Sequence, residues 1–328
     1  MTSLLPNMMS TSIKNFPKQF SYDPVTYNYS LPTTHYSHYF VIGMGGSHLA
    51  ADLAKIWNPQ LPLTIVSDYG LPPEVTKKDL VIASSYSGNT EETIDGLKIA
   101  LKKKLPVVVI AVGGKLIALA KKNNLPYIQL PDTGIQPRSA LGFSLRALLK
   151  IVGDERGLLE SKKLAKTLDP IKFEKAGKTL AKKLEGRVPV IYSSLKNSAI
   201  AYNWKIKLNE TGKIPAFYNV LPELNHNEMN GFDAQPSTKQ LCNKFHFIFL
   251  KDKKDHPRVQ KRMAILERLY RNRGLPVEIS ELQGKTVFEK MFSSLVLADW
   301  TAVYIAKHFG LESEQVPMVE EFKKLMKN

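Results

Sequence analysis

With 328 residues, 43% of them hydrophobic and 23% charged, the chain has the composition of a soluble folded protein. It is longer than one ordinary core requires, so two domains or one large α/β unit are expected. No apolar run is long enough to span a membrane, the start has no leader-like pattern, and the single cysteine, Cys242, rules out an internal disulfide. We therefore expect a cytoplasmic protein with no membrane partner and with Cys242 as a small buried filler. The net charge of +16 comes from lysines in short runs such as Lys102-Lys103-Lys104 and Lys253-Lys254, the pattern of solvated faces. No helix-turn-helix, zinc-finger or RNA-binding signature accompanies them, so nucleic acid is not an expected partner. A positive field does suit the steering of a small phosphorylated substrate.

Residues 1–34, with Pro6, Pro17, Pro24 and Pro32, show neither helical nor strand periodicity and read as an arm wrapping the first domain. A strand at Tyr39-Phe40-Val41-Ile42 is broken by Gly43-Met44-Gly45-Gly46-Ser47 and followed by a helix from His48 to Trp57. Further strands are predicted at Leu63 to Val66, Leu80 to Ala83, Pro106 to Val112 and Tyr127 to Leu130, with helices at Ile94 to Leu105 and Leu116 to Lys122. Alternating strands and helices of this size imply a parallel sheet flanked by helices on both sides, with ligand sites at the carboxyl ends of the strands. The helical Ala140 to Val152 and a lysine-rich helical stretch to about Glu185 lead to a second α/β series. Its strands are predicted at Val188 to Tyr192, Phe245 to Leu250 and Pro276 to Ile279, and its helices at Ala199 to Leu208, Pro257 to Arg271 and Lys285 to Lys307. The expected division is an arm over 1–34, a first domain over 35–155 and a second over 156–328. The two halves are alike in element order, without a residue-level repeat.

Four segments carry candidate chemistry. Ser84-Ser85-Tyr86-Ser87-Gly88-Asn89-Thr90 joins a strand end to a helix start at Glu91, where hydroxyls and unpaired backbone N–H groups favour an anion; the same turn would also serve as an ordinary helix cap. Gly43 to His48 is only part of a dinucleotide fingerprint, since His48 stands where the third glycine belongs, although Asp68 follows the next strand; it has no Walker ending. Its glycines permit close backbone approach to a ligand, with Ser47 at the helix start. Arg138, in Gln136-Pro137-Arg138-Ser139, can stabilise an oxyanion from a helix start or form a surface ion pair. In the second half, Lys207-Leu208-Asn209-Glu210-Thr211 and Leu221-Pro222-Glu223-Leu224-Asn225-His226-Asn227-Glu228 offer Glu210 and Glu228 as general bases. His226 there is a proton donor or a structural hydrogen-bonding group. No second histidine stands at ligand spacing, so no metal site is expected.

Gly45-Gly46-Ser47, Ser85-x-Ser87-Gly88-x-Thr90, Pro137-Arg138-Ser139, Asn209-Glu210 and Pro222-Glu223-Leu224-Asn225-His226-Asn227-Glu228 together resemble the bifunctional phosphoglucose/phosphomannose isomerases, which are built of two sugar isomerase (SIS) domains. The resemblance covers roughly residues 38–328. It implies two flavodoxin-like SIS domains, each a parallel sheet flanked by helices. It also implies an enzyme without cofactor that interconverts glucose 6-phosphate or mannose 6-phosphate with fructose 6-phosphate through a cis-enediolate. By the resemblance, Gly46, Ser47, Ser85, Ser87 and Thr90 hold the sugar phosphate, Glu210 is the base and Arg138 steadies the enediolate. His226 opens the ring from the other subunit of a homodimer, Lys307 is the candidate for a second ring-opening residue, and Thr301 lines the same pocket. Lys307 also reads as a helix C-terminal cation favoured by the dipole. Two other readings compete: a SIS-type sugar-phosphate sensor that binds without turnover, and an isomerase of amino sugar phosphates.

Overall fold

The structure, a computed structural model, describes residues 8–28 and 36–326. Packing divides the chain into two compact units, one of Asn15–Thr167 and the other of residues 168–326 with residues 8–14. The division falls one helix later than the expected 155/156, because the helix at Glu155–Thr167 packs against residues 16–21 and against the helix before it. The expected arm is likewise split: residues 15–28 belong to the first unit and residues 8–14 to the second. The rest of it, including Pro6 and Pro32, lies outside the described residues.

Helix α1 (Met8–Asn15), all but its last residue in the second unit, is followed in the first unit by a 3-10 turn at Phe16–Ser21. Strands β1 (Thr26–Tyr27), β2 (Tyr39–Ile42), β3 (Leu63–Val66), β4 (Leu80–Ser84), β5 (Val107–Ala111) and β6 (Tyr127–Gln129) form one sheet in the order β1-β6-β5-β4-β2-β3. Every pair is parallel except β1 with β6, so the chain segment read as an arm supplies an antiparallel edge strand. All five residues of β4 and of β5 are buried, as strands covered on both faces require. Helices α2 (Leu49–Trp57), α3 (Glu91–Lys102), α4 (Gly114–Lys122), α5 (Leu141–Ile151) and α6 (Glu155–Thr167) complete the unit. Thr93, Ile94, Leu97 and Ala100 form the buried stripe of α3, at the spacing that turns one helical face inward. The chain builds outward from β2 to β3, then crosses to the other side of β2 and adds β4, β5 and β6. The carboxyl ends of β2 and β4 therefore meet at a topological switch point, where open α/β sheets bind ligands.

The second unit has a four-stranded sheet of β7 (Val188–Ser194), β8 (Phe217–Leu221), β9 (Phe245–Lys251) and β10 (Val277–Glu281), parallel throughout, in the order β10-β9-β7-β8. Its helices are α7 (Glu174–Lys183), α8 (Ser198–Glu210), α9 (Glu228–Gly231), α10 (Lys239–Cys242), α11 (Pro257–Asn272), α12 (Val287–His308) and α13 (Pro317–Leu325). Val190, Tyr192, Phe247 and Phe249 pack with Met263, Leu266 and Tyr270 of α11 in one core cluster. The long α12 packs along α7 and α8; its Ser294 Oγ accepts from Trp204 Nε1 at 2.9 Å, and its Trp300 Nε1 donates to the Pro170 carbonyl at 2.8 Å. Cys242 is buried, as expected. Strand β8 is absent from the sequence reading because its outer residues, Phe217 and Tyr218, are exposed and its segment carries no clean alternation. Among the described residues no helix is long and apolar enough to cross a membrane.

Candidate active site

At the switch point of the first sheet, the two turns that follow β2 and β4 are tied together. Ser84 Oγ donates to the Ser47 carbonyl at 2.9 Å, and the Tyr86 N–H donates to Ser47 Oγ at 3.0 Å. Ser85 Oγ and Thr90 Oγ1 lie 2.7 Å apart, and Ser85 Oγ also accepts from the Gly88 N–H at 3.1 Å. Thr90 stands at the N-cap position of α3, yet its hydroxyl makes no cap bond to the helix. Capping therefore does not account for this residue, and the first-turn N–H groups of α3 receive no side-chain cap from it. Ser47 and Ser85 are buried beneath the turn, Thr90 is half-buried and Ser87 is exposed. A ligand would thus meet Ser87, Thr90 and backbone N–H groups, with Ser47 and Ser85 fixing their positions.

Two glycines make the geometry possible. A Cβ on Gly46 would lie 2.9 Å from the Arg138 nitrogen and from the Pro137 carbonyl carbon, so only glycine lets the turn Gly45–Ser47 lie against the 3-10 turn Pro137–Ser139. Gly88, at φ +72°, would place a Cβ 1.8 Å from the Gly113 carbonyl oxygen. Arg138 is buried, and the turn that carries it is clamped by Gln19: Gln19 Nε2 donates to the Ser139 carbonyl at 2.7 Å, and the Gly142 N–H donates to Gln19 Oε1 at 2.9 Å. Gln19 is a positioning residue that sequence reasoning missed, since its segment shows no periodicity. Arg146 fastens the same segment, donating to the Tyr22 carbonyl and, at 2.8 Å, to Asp23 Oδ1.

The second unit carries the candidate acid–base groups on the ends of three elements. Glu210 is the last residue of α8 and half-buried. Lys213, at φ +59°, donates from Nζ to the Glu210 carbonyl at 2.5 Å and to the Gln315 carbonyl, fixing the helix end. One turn earlier, buried Lys207 pairs with Asp299 of α12 at 2.6 Å. His226 is exposed at the end of a 3-10 turn that follows β8, and Lys307 is exposed in the last turn of α12, beside His308, which pairs with Glu185 at 3.1 Å. Thr301 is fully buried and its Oγ1 donates to the Leu297 carbonyl at 2.7 Å. Glu228, the other carboxylate offered as a base, instead joins β7 and β8: it accepts from the Tyr192 hydroxyl at 2.5 Å and from Asn219 Nδ2. Burial, reinforced by Tyr270 and the Glu228 charge, pushes the Tyr192 phenol far above its ordinary range, so Tyr192 stays a donor.

The switch point of the second sheet, at the carboxyl ends of β7 and β9, is filled from within. Ser194 Oγ and Asn197 Nδ2 donate to Asp255 Oδ1 at 2.8 and 3.1 Å, and Lys290 Nζ donates to Asp252 Oδ1 at 2.5 Å. Asp255 Oδ2 is buried without a hydrogen-bond partner. Burial, with the neighbouring Asp252 charge, raises the Asp255 carboxyl above its usual range. At Asp252 burial acts in the same direction but is outweighed by the hydrogen bonds from Lys290 and the Lys254 N–H, which hold that carboxyl low. The structure thus places Gly46, Ser47, Ser85, Ser87, Thr90 and Arg138 together in the first unit, and Glu210, His226 and Lys307 in the second.

Comparison with known proteins bears on this arrangement. Residues 173–326 match the family described as bacterial phospho-glucose isomerase C-terminal SIS domain. The bifunctional phosphoglucose/phosphomannose isomerase of Aquifex aeolicus is 33% identical over 321 residues, covering 96% of this chain and 97% of its own length. That of Thermoplasma volcanium is 33% identical over 309 residues, 92% of this chain and 95% of its own. Among solved structures, the C-terminal domain of glucosamine-fructose-6-phosphate aminotransferase from Francisella tularensis superimposes with a TM-score of 0.72 at 14% identity, covering 96% of this chain and 99% of that one; at this identity the likeness shows the fold alone.

Proposed function

The chain belongs to the bifunctional phosphoglucose/phosphomannose isomerase family, and from that premise we propose that it interconverts glucose 6-phosphate and mannose 6-phosphate with fructose 6-phosphate by a metal-free proton transfer through a cis-enediolate. The observation that carries the reading is the hydroxyl cradle at the first switch point, whose Thr90 hydroxyl is bonded to Ser85 and not to the helix it precedes. In this reading Gly46, Ser47, Ser85, Ser87 and Thr90 anchor the phosphate, directly or by fixing the turn. Glu210 takes the proton from C2 and returns it at C1. Arg138 stabilises the enediolate oxygens with fixed N–H donors. His226 and Lys307 assist ring opening, His226 acting from a second copy of the chain in a homodimer. The exposure of His226 and Lys307 supports a role toward a partner or a substrate. Epimeric aldoses share one base when rotation about C2–C3 presents either face.

The test is a coupled assay of fructose 6-phosphate against both aldose phosphates, with and without chelator. Turnover of both that chelator leaves unchanged is expected. Saturable binding without turnover would assign the chain as a sensor, and activity lost to chelator would assign a metal enzyme.

A further inference from the structure

Tyr192 of β7 and Asn219 of β8 are register partners on neighbouring parallel strands, and both offer a hydrogen-bond donor to one carboxylate. The Tyr192 hydroxyl donates to Glu228 Oε1 at 2.5 Å, and Asn219 Nδ2 donates to Glu228 Oε2. Neither donor is free to turn away. Asn219 Oδ1 accepts from the Val220 N–H at 2.8 Å, which leaves Nδ2 to face Glu228. The Tyr270 hydroxyl lies 3.4 Å from that of Tyr192; because Tyr192 gives its one proton to a carboxylate that only accepts, Tyr270 is the donor of this second bond.

The backbone ladder already joins β7 to β8, so the two strands do not depend on Glu228 to stay together. What the carboxylate adds is closure of the segment that follows β8. The strand ends at Leu221, the 3-10 turn Glu223–His226 comes next, and the bond from Asn219 to Glu228 ties the segment back to the strand it left. Inside that loop Asn227 Nδ2 donates to Glu223 Oε1 at 2.9 Å, Asn227 Oδ1 accepts from the Glu228 N–H at 2.5 Å, and Leu224 is fully buried. His226 differs from these neighbours. Its imidazole is exposed and, among the described residues, has no hydrogen-bond partner, so its place is set by the backbone of the turn. Glu228, two residues on, links that backbone to the sheet.

We propose that Glu228 is a positioning residue for the isomerisation: through its bonds to Tyr192 and Asn219 it holds the turn that presents His226 for ring opening. The proposal rests on the role given to His226 above and assigns Glu228 no proton transfer of its own.

A double-mutant cycle on the full chain, assayed with both aldose phosphates, tests it. Glu228→Ala is expected to lower kcat about 10- to 100-fold, a part of what a well-placed acid–base group supplies, with KM within about twofold of wild type because the phosphate cradle belongs to the other unit. Tyr192→Phe keeps the buried ring and removes the donor; it is expected to lose less, since Asn219 still holds the carboxylate. In a His226→Ala background neither change should lower kcat by more than about a further twofold, because the group they position is gone. Amide exchange in Glu228→Ala should quicken over residues 220–228 and stay as in wild type in the first unit. Equal fractional losses with and without His226 would overturn the positioning role while leaving His226 its own, and so would an unchanged kcat in Glu228→Ala. If Glu228→Ala fails to fold by circular dichroism, the same comparison in Tyr192→Phe decides. A His226→Ala protein as active as wild type would remove the role of His226 and the proposal with it. A wild type that turns over neither aldose phosphate would overturn the isomerase reading beneath both.

Discussion

The hydroxyls of Ser85 and Thr90 face each other at 2.7 Å, and this bond occupies the side chain at the head of α3 that would otherwise cap it. Thr90→Val removes the hydroxyl and keeps the shape. Loss of a hydrogen bond to a charged group costs about 1.5–3 kcal/mol, so KM for each sugar phosphate should rise roughly 10- to 150-fold. Melting temperature should fall as well, because buried Ser85 loses its partner across the turn, so the rise in KM is the deciding readout. Steady-state kinetics beside thermal denaturation decides; a clear loss of stability with unchanged KM would make the hydroxyl structural.

Glu210→Gln keeps the side chain's size at the end of α8 and removes its basicity. Turnover should fall by about 10²- to 10⁴-fold while phosphosugar binding persists, the split expected of a general base. Incorporation of solvent deuterium at C1 and C2, followed by NMR, should stop in the variant. Full activity would exclude Glu210 as the base.

Gly46→Ala forces a methyl group to within 2.9 Å of the Arg138 and Pro137 backbone. The two turns must separate, at a cost of about 1–3 kcal/mol in stability. KM should rise with it, since the displaced turn carries Ser47. Gly231→Ala, which meets nothing within 4 Å, serves as the control and should leave KM unchanged.

Asp299→Asn strips the buried Lys207 charge of its carboxylate. Breaking a buried ion pair by removing one partner typically costs 3–5 kcal/mol, whereas replacing both with apolar groups recovers most of the loss. Urea unfolding of Asp299→Asn against the Lys207→Met/Asp299→Leu double variant should show that order. The single variant should also lose activity, because α8 carries Glu210 one turn beyond Lys207.

Asp255 titrates higher in the folded protein than its ordinary value of 3.8, so the folded state binds this proton more tightly than the unfolded chain does. Its contribution to stability therefore falls as pH rises from that ordinary value through the folded one, and the loss is complete above it. Asp255→Asn has no such proton. The variant should be more stable than wild type at neutral pH, with the gap closing as pH falls toward 4. Melting curves across this range check the sign; a gap that widens on acidification would refute it.

The parallel strands of both units other than β8, and the turn at Ser84, were legible because buried strands and hydroxyl clusters leave strong local patterns. Lys213, which holds the Glu210 end of α8, and Gln19, which holds the Arg138 turn, were not. Gln19 acts through backbone groups far away in sequence, and Lys213 through the Glu210 carbonyl three residues back and the distant Gln315 carbonyl; such side-chain-to-backbone contacts impose no periodicity and no preferred residue type. Glu228 was misleading for the same reason: its motif suggested a base, but its carboxylate is taken up by Tyr192 and Asn219 on neighbouring strands. Strand β1 escaped notice because two residues of edge pairing carry no alternation at all.

The Gln19 clamp has a consequence for synthesis. Its two bonds join positions 120 and 123 residues apart, so the glutamine leaves the ribosome long before Ser139 and Gly142 exist. The strands and helices between can collapse locally as they emerge, but the arginine turn cannot be locked until α5 has been made and the early segment returns to it. Contacts of such separation close late and slow folding. A nascent chain stopped before residue 139 should therefore hold a sheet without a finished anion site, and sugar phosphate should protect it from proteolysis only after α5 has been translated.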